Sequence, residues 1–142
     1  MTALPVGLSL DEREMAHRAA ILGDGGALAS AMRYCESRTW PAGPAGWLRE
    51  VWRWVLWLRI VRGLAAHTTC ARYAEIVARF AEWVASRRLD YTSLNLGDLD
   101  EWAKSLLLER RNSASWRRTQ LQALRSFYGW RRSRGLGPDV TS

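Results

Sequence analysis

Residues 113–135 read SASWRRTQLQALRSFYGWRRSRG, with the periodicity of an amphipathic helix. The run predicts a helix from about Ala114 to Arg134 that closes on Gly135, with Pro138 beyond it. At 100° per residue, Trp116, Ala123, Leu124, Phe127, Tyr128 and Trp130 collect on one broad side, the pattern of a stripe that faces a core. Arg118, Arg125 and Arg132 recur every seventh residue on another side. They drift only about 20° per step and form a row roughly 21 Å long. Gln122 and Gly129 lie beside that row. Arg117 and Arg131 project nearer the apolar side, which suits packing stems, snorkelling or flanking phosphate contacts.

The same segment sets the charge of the chain. Of 142 residues, 21 are Lys or Arg and 14 are Asp or Glu, a net charge of +7. Residues 110–134 hold eight arginines and no acid, whereas the remainder is close to neutral. A coding bias toward G and C accounts for arginine in place of lysine but not for this clustering. Concentrated charge of one sign recruits a polyanion, while scattered charge only aids solubility. A solvated helix face normally mixes signs, as Arg72, Glu75, Arg79 and Glu82 do, but residues 114–134 offer no acid to pair with. Guanidinium forks suit phosphate oxygens or guanine, and glutamine suits adenine. Glycine costs about 1 kcal/mol relative to alanine inside a helix. Gly129 therefore points to a close approach, either by a ligand or by a neighbouring helix.

Working outward, helical signals dominate, and no stretch shows strand alternation, repeats or low complexity. The expected fold is all-α, a four-helix bundle preceded by a two-helix N-terminal extension. Trp40-Pro41-Ala42-Gly43-Pro44 marks the clearest boundary, because two prolines and a glycine cannot continue a helix. It divides residues 1–44 from a domain at 45–136 and a tail at 137–142. In the extension, Ser9 and Glu12 form a capping box for a helix to about Leu22, and a second helix fits Ala27 to Ser37. The first bundle helix, about Gly46 to Val61, is apolar around much of its circumference and is stopped by Gly63. The second starts with Thr68 or Thr69 as N-cap and puts Tyr73, Ile76, Val77, Phe80 and Val84 on one stripe. The third opens with Asn95 and Asp98 and buries Leu99, Trp102 and Leu106.

Several classes are set aside. The apolar runs are interrupted by charge well before the ~18 residues of a membrane span, and the N-terminus lacks an export signal. Cys35 and Cys70 are too few for a secreted disulfide framework. His67 and Cys70 do not make the paired spacing of a zinc finger, so no metal or cofactor is expected. No nucleophile motif or glycine-rich phosphate loop suggests a small-molecule substrate. The expectation is a cytoplasmic, nucleoid-associated protein.

Three passages carry a family resemblance: Arg62 to Tyr73 followed by Phe80 and Trp83; Leu94 to Trp102; and Ser113 to Trp116 followed by Leu121 to Trp130. In order and spacing they resemble the core-binding, SAM-like N-terminal domain of tyrosine recombinases of the phage integrase type, over about residues 46–134. Two departures stand out. Trp116 occupies a usual threonine position, and Gly137-Pro138-Asp139 replaces the terminal Asn-Pro.

The resemblance implies a bundle that sits on duplex DNA as half of a clamp, its second and fourth helices facing the major groove at a recombination core site. The candidate contacts are Arg118, Arg125, Arg132 and Arg117, with Gln122 as base reader, and Thr68, Thr69, Arg72 and Arg79 on the second helix. The family's chemistry needs a tyrosine nucleophile from a second domain, and neither His17 nor His67 has arginine three residues on. This chain is thus expected to bind without cutting, although a full-length parent would break and rejoin DNA strands. The resemblance also implies self-association through the helix bearing Trp52, Trp54 and Trp57; the alternative is that these rings are buried by residues 1–44. The competing functional reading is a helical adaptor for an acidic protein partner.

Overall fold

The computed structural model describes residues 46–141 together with Arg13, Glu14 and His17, which are helical and exposed. The capping box at Ser9 and Glu12, the second extension helix and Cys35 lie outside the described residues. Four α-helices make up the bundle: α1 (Gly46–Ile60), α2 (Ala71–Ser86), α3 (Leu96–Leu108) and α4 (Ala114–Ser133). No strand occurs among the described residues. The fold is all-α, as the periodicity predicts.

Local chemistry explains most of the boundaries. Gly63, at φ +68°, adopts the left-handed conformation that turns the chain after α1. At α3 the Asn95 side chain accepts the Asp98 N–H (2.8 Å) and the Asp98 carboxylate accepts the Asn95 N–H (3.1 Å), a complete capping box. At α4 the Ser113 hydroxyl accepts the Trp116 N–H, and Gly135 at φ +71° ends the helix.

The start of α2 differs from the sequence expectation. Neither Thr68 nor Thr69 is the N-cap. A π-helical turn over Ala66–Cys70 precedes α2 and runs into it, so the chain is already helical at those threonines. The N–H groups of Thr69 and Cys70 both donate to the Ala65 carbonyl. Cys70 is buried and its thiol turns back toward the Leu64 carbonyl (3.7 Å), a packing role rather than a capping one.

The core is aromatic and lies between α1, α2 and α4, with α3 closing one side through Trp102 and Leu106. Phe127 of α4 meets Trp54 of α1 edge to face at 5.3 Å. Phe80 of α2 meets Trp102 at 5.2 Å and Tyr128 at 6.4 Å, also edge to face. Such pairs contribute about 0.5–1.5 kcal/mol each beyond the area they bury. Trp54 also stacks on Tyr73 and donates its Nε1–H to the Ser126 hydroxyl (3.2 Å). The expected stripes are therefore largely correct, with Tyr73, Leu99 and Trp116 half-buried at their edges.

Of the rings named for self-association, the same burial corrects Trp52 and Trp54 and leaves Trp57 open. Trp52 and Trp54 are buried within the chain, and only Trp57 remains partly exposed, its ring covered by the Arg62 guanidinium at 5.6 Å. Rings already packed in a core are not available to a second protomer.

Candidate nucleic-acid interface

With its inner side consumed by the core, α4 turns its other side outward. Arg118, Gln122, Arg125 and Arg132 are all exposed. Among the described residues, the three arginines have no ion-pair partner. The start of the helix, which carries Arg118, is tied down by a contact that sequence reading missed. Gln120 is buried, and its amide donates to the Asn112 side chain (3.0 Å), clamping the preceding loop onto the helix. Exposed Arg110 and Arg111 before the helix and Arg134 after it extend the positive surface at both ends.

Arg72 is brought to this surface from α2. Its guanidinium lies 5.6 Å over the Trp116 ring, a cation–π contact that joins the first turns of α2 and α4. Thr68 is exposed and Thr69 half-buried in the π-helical turn just ahead, and Arg79 is exposed farther along α2. Arg117 is half-buried, with its Nε buried and without a hydrogen-bond partner, as a packing stem would be.

Arg131 is the exception within the basic segment. Only 2% of its side chain is exposed, and its Nε donates to Glu50 Oε2 on α1 at 2.8 Å. Its Nη2 donates to the Leu136 carbonyl (3.1 Å), and its guanidinium lies over the rings of Tyr91 and Tyr128. The expectation of a snorkelling or phosphate-flanking head is thus corrected for Arg131: the charge is inside the fold. It pairs across 81 residues of sequence, with a carboxylate from another helix.

Tyr91 and Tyr128 complete this buried network. The Tyr128 hydroxyl donates to the Tyr91 carbonyl (2.7 Å), and the Tyr91 hydroxyl donates to Glu50 Oε2 (3.2 Å). Burial pushes both phenols well above the usual tyrosine range; the Glu50 carboxylate adds to this, while Arg131 acts the other way. In the unfolded chain these tyrosines lose their protons near pH ~10, whereas the folded chain retains them. Their contribution to stability is therefore intact below about pH 10 and declines as the pH rises beyond it. Denaturant midpoints should be level up to that point and then fall, with a shallower fall in Tyr91→Phe. A level profile well into the alkaline range would contradict this arrangement.

Among the described residues no cluster of three or more metal-ligating side chains occurs, and no helix is long and apolar enough to cross a membrane. A family model, the phage integrase N-terminal SAM-like domain, matches residues 51–135. The chain belongs to that family. No curated protein and no solved structure matches it. The match runs from α1 to Gly135 and includes all three passages that carry the resemblance in the sequence. Trp116, at which the sequence departs from the resemblance, is the ring on which Arg72 rests.

Proposed function

We propose that this integrase-family domain binds duplex DNA through the outward face of α4. One observation carries the reading: Arg118, Arg125 and Arg132 stand exposed in a row that has no carboxylate partner among the described residues. A helix about 10–12 Å across fits the major groove of B-DNA, and a row of guanidiniums along it can reach phosphates or guanine edges. Gln122, beside the row, is the base reader. Arg117, Arg72, Arg79, Thr68 and Thr69 flank it as phosphate contacts, with Arg72 held in place by Trp116. The target is a recombination core site, read in sequence by the few residues that reach base edges.

The role is binding rather than strand cleavage. Among the described residues, Tyr91 and Tyr128 are buried with their hydroxyls donated to other groups, which suits binding and not attack on a phosphodiester. Titrating a labelled duplex with the chain over a salt series tests the proposal. The logarithm of affinity should fall linearly with the logarithm of salt, by about 0.9 for each phosphate neutralised. Failure to bind duplex at low salt, together with capture of an acidic protein under the same conditions, would favour the adaptor reading instead.

A further inference from the structure

Gly129 lies in the middle of the arginine row by helical periodicity, four residues after Arg125 and three before Arg132. Among the described residues, nothing requires a glycine there. Among the described residues, a Cβ at this position would meet only the Asp139 Oδ2, at 3.8 Å, which is ordinary van der Waals contact, and no atom of a neighbouring helix lies within 4 Å of it. The helix interior thus carries the least favourable residue short of proline at a position where alanine fits. The missing side chain leaves a notch on the helix face one turn from exposed Arg125 and from exposed Arg132, and the Asp139 carboxylate of the C-terminal tail stands beside it.

The tail is placed by contacts of its own. Leu136 and Val140 pack against the core, and the Leu136 carbonyl accepts from buried Arg131. Asp139 Oδ1 accepts the Thr141 N–H (2.9 Å) and the Thr141 hydroxyl, which directs Oδ2 toward Gly129.

We propose that the Gly129 notch is a phosphodiester subsite, flanked by Arg125 and Arg132, and that Asp139 covers it in the free chain. This rests on the DNA-binding reading above and adds where a backbone phosphate comes closest and what must move for it to do so. A phosphate entering the notch gains two guanidiniums and meets one like charge, so the tail carboxylate opposes binding until it swings aside.

Two substitutions in the full chain test the subsite with a labelled duplex of mixed sequence at low salt. Gly129→Ala should weaken binding by at least about threefold, because its methyl group holds the phosphate away from both arginines. Its thermal midpoint should be equal to or above that of the wild type, since alanine is the better helix former. Asp139→Asn should tighten binding by about threefold through loss of one repulsive charge. Wild-type affinity in either variant would overturn the subsite while leaving the wild type's own salt-dependent binding, and with it the DNA-binding reading, intact. If the wild type fails to bind duplex at all, both readings fall together.

Discussion

Glu50→Ala is expected to lower the unfolding free energy by about 3–5 kcal/mol, read as an earlier midpoint in urea. The size follows from what the substitution leaves behind. Arg131 is almost wholly buried, and Glu50 Oε2 is the acceptor for its Nε at 2.8 Å. Its Nη1 already lacks a hydrogen-bond partner. Without Glu50 the guanidinium would keep the desolvation penalty of its charge and lose the carboxylate that offsets it. The Tyr91 hydroxyl would lose its acceptor in the same step. Removing both charges is a different experiment. Glu50→Leu combined with Arg131→Met replaces the pair by apolar groups of similar volume, and such exchanges are often neutral or stabilising. The double variant should therefore recover most of the stability lost in Glu50→Ala. A double variant as unstable as the single would show that packing, not charge, sets the penalty.

Arg118→Ala with Arg125→Ala should weaken duplex binding by at least about tenfold at low salt while leaving the unfolding midpoint almost unchanged. Both side chains are exposed, and surface substitutions away from special contacts usually change stability by no more than about 0.5 kcal/mol. Each guanidinium that meets a phosphate releases a condensed counterion on binding, so its loss removes affinity whatever the DNA sequence. Arg131 and Arg132 make the contrast sharp although they are adjacent. Arg131→Ala should cost stability because its charge is paired inside the fold, whereas Arg132→Ala should cost DNA affinity because its charge faces outward.

What the sequence revealed, and what it hid, follows the range of the interactions concerned. The stripe of α4, the capping box of Asn95 and Asp98 and the stop at Gly135 are all written within a few residues, and each appears as expected. The start of α2 departs from the expected threonine cap even though the signal is local. Threonine is a good cap, but here the chain entered a π-helical turn earlier, using the Ala65 carbonyl as acceptor for two N–H groups. The Trp-rich helix was legible as apolar on several faces, but not what covers it. Trp54 is packed by Tyr73 and Phe127 and bonded to Ser126, 72 residues away. The Glu50–Arg131 pair was invisible for the same reason, since no spacing rule joins α1 to the end of α4. The outward row could be read because helical periodicity alone separates Arg118, Arg125 and Arg132 from Arg131.

Whether these outward guanidiniums meet a nucleic-acid backbone is read from the salt dependence of duplex binding, compared between the wild type and the Arg118→Ala, Arg125→Ala variant. The wild type should show a steep negative log–log slope and the variant a slope shallower by about 2, with both chains equally folded. Equal slopes and equal affinities in the two folded chains would contradict it.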